Sequence, residues 1–137
     1  MTTAEGSLSE ANTKRSPALP ALIAIAGWIV PGLGHFLLRR WARALGFFVA
    51  SAGLALTGFA LRGEVFTSHS RDPFGLLGFI ADMGSGIFYL IARFLETAGA
   101  DISRASGDYG TRFIAASGIV NVLAVIDAYG IARGRRV

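Results

Sequence analysis

The sequence predicts an all-α membrane protein, a bundle of four transmembrane helices. Hydrophobic residues make up 53% of the 137 residues and charged residues only 16%, whereas about 25% is usual in soluble domains. The apolar residues also form four long runs. Each run approaches the roughly 20 residues that a helix needs to cross a hydrocarbon core about 30 Å thick.

The chain divides into a polar tail, an apolar bundle and a basic tail. Residues 1–18 are polar and aperiodic, which is typical of a flexible tail. The bundle is predicted over residues 19–132, with spans at residues 19–38, 41–61, 74–95 and 111–132. Residues 133–137 form a short basic tail. Because four crossings return the chain to its starting side, we expect both termini on one side of the membrane.

The stretch PGLGHFLLRRWARAL, residues 31–45, interrupts the first apolar run. Pro31 lacks the backbone N–H that continues a helix, so we expect a kink there. Gly32 and Gly34 leave room for a neighbouring backbone. The membrane exit is marked by three arginines, Arg39, Arg40 and Arg43. The stretch therefore predicts a kinked, closely packed helical hairpin with a basic tip.

This stretch resembles the PGLGHFYLG-type signature of small bacterial membrane proteins. These include a two-transmembrane-helix domain family and four-span relatives of unknown function. The four-run layout and the sequence DAYGIARGR near the end resemble the four-span relatives. Leu37 stands where the signature has tyrosine, Arg39 where it has the following glycine, and Ala44 where the second helix commonly has glycine. The resemblance implies an integral membrane hairpin and no particular activity.

The third predicted span carries a stripe of small and polar residues. Its members recur at spacings of three and four: Gly75, Gly78, Asp82, Ser85, Tyr89, Ala92 and Glu96. Such spacing places side chains on one helical face, and small residues let membrane helices approach each other. The stripe indicates an inward face in a compact bundle. The alternative is a groove for lipid or pigment.

Four polar residues are predicted inside the spans: Asp82, Asp127, Asn121 and Thr57. A charged aspartate at the centre of a spanning helix costs roughly 2.5–3.5 kcal/mol, so an intramembrane acid is a candidate functional residue. Antiparallel third and fourth spans would place both acids in one half of the membrane, with Thr57 at a similar level and Asn121 near the midplane. The acids either join helices by hydrogen bonds, or carry protons or a cation, or contact a partner's cation.

His35 is predicted in the opposite half of the membrane, near the basic hairpin tip. A lone histidine can ligate a haem or chlorophyll-type pigment, or it can hydrogen-bond near the interface. We favour the hydrogen bond and expect no cofactor. The other histidine, His69, is predicted in the opposite half from His35, and cysteine is absent. We therefore expect no metal site.

No arrangement of residues predicts catalysis, and we expect no catalytic residue and no enzyme. The net charge of +4 comes mostly from arginines at the ends of apolar runs, which favours anionic lipid headgroups over nucleic acid. We expect an accessory or scaffolding subunit in the bacterial inner (cytoplasmic) membrane, with cytoplasmic termini. Its expected partners are the lipid bilayer and other membrane subunits or second copies. The alternative is a small oligomeric transporter or proton/cation conductor that uses Asp82 and Asp127.

Overall fold

The computed structural model describes residues 18–66, 72–96 and 105–134, and these residues form helices joined by turns, without strands. The six helices in these ranges are α1 (Ala18–Ile29), α2 (Leu33–Leu37), α3 (Trp41–Ala60), α4 (Pro73–Gly84), α5 (Ile87–Glu96) and α6 (Ala105–Ala132). Apart from Ala18, the predicted N-terminal tail lies outside the described residues, as do the last three residues of the basic tail.

The helices that can cross a membrane are fewer than the sequence predicts. Among the described residues, Trp41–Ala60 and Gly107–Ala132 are long and apolar enough, and α4 with α5 makes a third only if this pair, bent by 114°, is one span. Helix α1 has 12 residues and reaches about 18 Å, less than the roughly 30 Å hydrocarbon core. The all-helical class is confirmed, and the helices are consistent with an integral membrane protein. Four spanning helices are not confirmed.

The first predicted span is two helices that fold back on each other, so the prediction of one kinked helix is wrong. Helix α1 ends at Ile29, and Gly32 has a φ of 82°, which favours glycine because it has no Cβ. The chain then reverses, since a Cβ on Gly34 would lie 3.1 Å from the carbonyl oxygen of Ile23. Pro31 therefore ends the helix, and α1 and α2 form the first hairpin.

The third predicted span is also a hairpin, formed by α4 and α5. The break lies at residues 85–86, where Gly86 has a φ of 60°. Helix α5 then returns along the bundle, because Ala92 is buried against Val65 and Ile114. The predicted stripe from Gly75 to Glu96 is consequently divided between two helices and does not form one face.

Helix α6 is the axis around which the other helices pack. Helix α3 runs antiparallel to it: Arg43 contacts Asp127 near one end, and Gly58 adjoins Ile114 near the other. We call the end of the bundle where α6 finishes the terminal side, and the end where α6 begins the loop side.

The two hairpins enter the bundle from opposite sides. Helix α1 is antiparallel to α6, and a Cβ on Gly27 would lie 3.7 Å from Val125. Helix α4 is parallel to α6, with Gly84 close to both Gly118 and Val122. The first hairpin therefore enters from the terminal side and the second from the loop side, and their breaks meet beside the middle of α6.

The surface of the bundle is apolar and its interior is made mostly of small residues. Phe74 and Phe94 are 80% and 79% exposed, as expected for side chains that face lipid. Several buried core positions are alanines: Ala44, Ala55, Ala92, Ala124 and Ala128. Because lipid is as apolar as the core, such helices associate through close packing and hydrogen bonds.

Gly118 provides a test of this packing. The substitution Gly118→Ala is expected to lower the free energy of unfolding by about 1–3 kcal/mol, because its Cβ would overlap with the carbonyl oxygen of Ala81. Gly130→Ala in the same helix is the matched control, since a Cβ there meets nothing within 4 Å. Thermal unfolding in detergent, followed by circular dichroism, measures both. Equal melting temperatures for the two variants would contradict the packing of α4 on α6.

Candidate functional site

The side chain of Asn121 joins the ends of two helices in the middle of the bundle. Its Nδ2 donates to the carbonyl oxygen of Trp28 at 3.0 Å and to that of Gly84 at 2.9 Å. The indole Nε1 of Trp28 donates to the carbonyl oxygen of Met83 at 3.0 Å. We call these four residues the central node.

The hydrogen bonds of the central node are needed because the sequence ends two helices inside the bundle. The last carbonyl groups of a helix have no partner within the helix, and both α1 and α4 end inside the bundle. Pro31 and Gly32 terminate the first, and the sequence Gly84-Ser85-Gly86 terminates the second. In hydrocarbon each of these carbonyls needs a donor from the protein. Asn121 and the Trp28 indole supply those donors.

A pair of serines joins α3 to α6 one turn before Asn121. The hydroxyl groups of Ser51 and Ser117 are 2.9 Å apart, and each Oγ also reaches the carbonyl oxygen of the other residue, at 3.2 and 2.9 Å. Both side chains are fully buried. Because Ser117 and Asn121 are four residues apart, they lie on one face of α6. This face therefore connects α6 to α1, α3 and α4.

Asp82 is completely buried and holds the segment after α3 against α4. Its Oδ2 accepts a hydrogen bond of 2.7 Å from the backbone N–H of Phe66, and the hydroxyl of Ser85 donates to its carbonyl oxygen at 2.6 Å. A carboxyl oxygen accepts a backbone N–H whether the group is ionised or neutral. These contacts join the segment after α3 to the end of α4, beside the second hairpin's break.

The second polar cluster, the His35 cluster, contains His35, Arg43 and Asp127. The Nε2 of His35 lies 3.0 Å from Oδ2 of Asp127, and Nη1 of Arg43 donates to the same oxygen at 3.1 Å. The imidazole is 1% exposed and stacks on Phe47, with ring centroids 5.0 Å apart. Since the carboxylate is an acceptor, Nε2–H of His35 is the donor. The cluster joins α2, α3 and α6 on the terminal side.

The predicted position of His35 is wrong, and the reversal at Gly32 explains why. A continuous first helix would carry His35 away from the terminal side, whereas α2 returns there and brings His35 to Asp127. Asp127 lies nine residues after Gly118, about 13.5 Å further along α6, and Gly118 adjoins Ala81. Asp82 and Asp127 therefore lie at different levels of the bundle, and Asp82 is not part of the His35 cluster.

The remaining predicted residues fall in three places. Asn121 lies near the middle of α6, and its level in a membrane stays a prediction. Thr57 is exposed and its hydroxyl donates to the carbonyl oxygen of Gly53 in its own helix, at 2.8 Å. Arg39 and Arg40 lie with Arg43 at the terminal side, in the turn before α3 and in its first residues.

Two buried atoms in these clusters have no hydrogen-bond partner among the described residues: His35 Nδ1 and Asn121 Oδ1. With Nε2 of His35 donating to Asp127, Nδ1 is the acceptor nitrogen of the neutral ring. In the described ranges no three His, Asp or Glu side chains lie together as potential metal ligands.

Sequence reasoning missed several residues of these clusters. Trp28 was predicted only as part of an apolar span, and Ser51 was not singled out. The sequence Gly84-Ser85-Gly86 lies inside the third predicted span, for which a continuous helix was expected. Glycine and serine together are also a signal for a sharp helix break, and this signal was present in the sequence.

Comparison with known families matches residues 22–136 to the family of unknown function DUF6677. The chain belongs to this family. The matched range contains the central node and the His35 cluster, so both lie within the family domain. No curated protein and no solved structure matches the chain.

The central node predicts the effect of removing the Asn121 carboxamide. Asn121→Leu keeps the branching at Cγ but leaves two carbonyl groups without a donor, and we expect a loss of about 1–3 kcal/mol in the free energy of unfolding. Hydrogen–deuterium exchange should also accelerate at residues 30–34 and 85–88. Leu123→Ala on the exposed side of α6 is the control. Unchanged exchange at both breaks in Asn121→Leu would contradict the role of the node.

The His35 cluster predicts strong coupling between two residues that are distant in sequence. A double-mutant cycle with His35→Gln and Asp127→Asn should give an interaction energy of about 1–3 kcal/mol, because the imidazole is buried. The control cycle uses Arg112 and Asp108, an exposed pair four residues apart, for which about 0.3–0.5 kcal/mol is usual. Denaturant unfolding of the four proteins in each cycle measures both energies. Equal coupling in the two cycles would count against a buried interaction.

Proposed function

We propose that this protein is a non-catalytic integral membrane protein, an accessory or scaffolding subunit of a larger membrane assembly. One observation carries the proposal: the buried polar side chains in both clusters join one helix of the bundle to another. Two crevices instead have apolar walls and open onto the surface, where a lipid or a neighbouring helix can pack. Hydrogen bonds hold the interior together, and the apolar exterior can pack against other molecules. These properties suit assembly with other subunits better than catalytic turnover.

The charge distribution supports a location in the bacterial inner membrane with cytoplasmic termini. Eight of the 13 basic residues lie at the terminal side or next to it in sequence: Lys14, Arg15, Arg39, Arg40, Arg43, Arg133, Arg135 and Arg136. The other five lie at the loop side or next to it in sequence: Arg62, Arg71, Arg93, Arg104 and Arg112. The positive-inside rule assigns the richer side to the cytoplasm. The relationship to PGLGHFYLG-type proteins remains a prediction that rests on the motif in residues 31–45.

A second candidate function is a small oligomeric transporter or a proton/cation conductor. The observation in its favour is the buried imidazole of His35 against the carboxylate of Asp127, a pair able to exchange a proton. Asp82 would act separately in this function, since its described contacts are with Phe66 and Ser85.

Native mass spectrometry combined with flux assays separates the two functions. Protein extracted from its own membranes in mild detergent is expected to carry other subunits at a fixed stoichiometry. Asp82→Asn and Asp127→Asn should preserve that assembly, because asparagine keeps the size of each side chain. Recovery of the chain only by itself or as a homo-oligomer, together with proton flux in liposomes that either substitution abolishes, would overturn the accessory role in favour of conduction.

A further inference from the structure

An apolar crevice of about 380 Å³ lies between the first hairpin and the start of α3. Its walls include Pro31, Gly32, Phe36, Trp41, Leu45 and Phe48. Trp41 is the first residue of α3, and Phe48 lies about 10 Å further along that helix. The crevice therefore extends from the terminal side of the bundle toward its middle, which is the depth occupied by one leaflet.

We call the turn before Trp41 the rim of this crevice, and its two arginines are not neutralised by any described residue. Arg39 and Arg40 form the turn that leads directly to Trp41, and neither makes an ion pair with any part of the chain that the structure describes. Arg43, one turn further on, differs because Asp127 binds it. Trp41 is 61% exposed and packs edge-to-face on Phe36. Such a tryptophan is typical of the headgroup level of a membrane.

We propose that this crevice binds an anionic phospholipid. One acyl chain lies against the apolar walls, and the phosphate is held by Arg39 and Arg40 at the rim. Charge complementarity selects this occupant over a neutral lipid, because basic residues at the membrane surface attract anionic headgroups.

Native mass spectrometry of the full chain, delipidated in mild detergent, tests this proposal with two lipids. Phosphatidylglycerol is expected to give a saturable one-to-one adduct at concentrations at which phosphatidylcholine does not. The double substitution Arg39→Gln with Arg40→Gln should weaken phosphatidylglycerol binding by about 25-fold, since one basic residue contributes about fivefold. Arg62→Gln is the matched control, because Arg39 and Arg62 are both exposed with positive φ, 59° and 55°, and Arg62 lies at the loop side. It should leave binding unchanged.

A second variant tests the crevice itself. Leu45→Trp fills part of the crevice, and it should reduce the adduct while leaving both arginines in place. Equal binding of the two lipids, or phosphatidylglycerol binding that persists in the double arginine variant, would overturn the proposal. Displacement of the lipid by inorganic phosphate alone would also overturn it, because the site would then be a free-anion site. None of these results depends on whether the protein has an accessory role.

Discussion

Backbone carbonyl groups that end a helix inside hydrocarbon must find donors within the protein, and the rest of this structure depends on how that need is met. Two helices stop near the middle of the bundle, one entering from each side. The carboxamide of Asn121 donates to both ends, and the Trp28 indole donates across from one hairpin to the other. Water would satisfy such groups in a soluble protein. Lipid does not, and the hairpins are stable only when they meet.

Close contact at the breaks places strict demands on the surrounding residues. Gly86 adjoins the carbonyl oxygen of Trp28, and Gly118 adjoins that of Ala81, so neither position has room for a side chain. The serines of α3 and α6 add hydrogen bonds at the next turn. Apart from Ile114, the inner face of helix α6 thus consists of small and polar residues, from Gly110 at the loop side to Ala128 at the terminal side, and α1, α3 and α4 pack against it.

The interior and the surface of the bundle have different properties, and the proposed functions follow from that difference. Polar groups inside are engaged in holding hairpins and long helices together. The surface is apolar except at the two ends, where arginines lie. On the terminal side the sequence has more arginines than acidic residues. An accessory subunit and a lipid-binding crevice both use that surface. Proton conduction would instead use the His35 cluster, the polar group nearest the terminal side.

The sequence by itself determined the helical class and the apolar exterior, and it marked Pro31 as an interruption of the first apolar run. Composition and run length are local properties, and proline lacks the N–H that continues a helix whatever surrounds it, while Gly32 and Gly86 allow a positive φ. The direction of the chain after each break was decided only by tertiary structure, because a proline or glycine permits either a kink or a reversal. Contacts with α6 select the reversal. His35 and Asp127, 92 residues apart, meet only because of that choice, and no local pattern in the sequence records it.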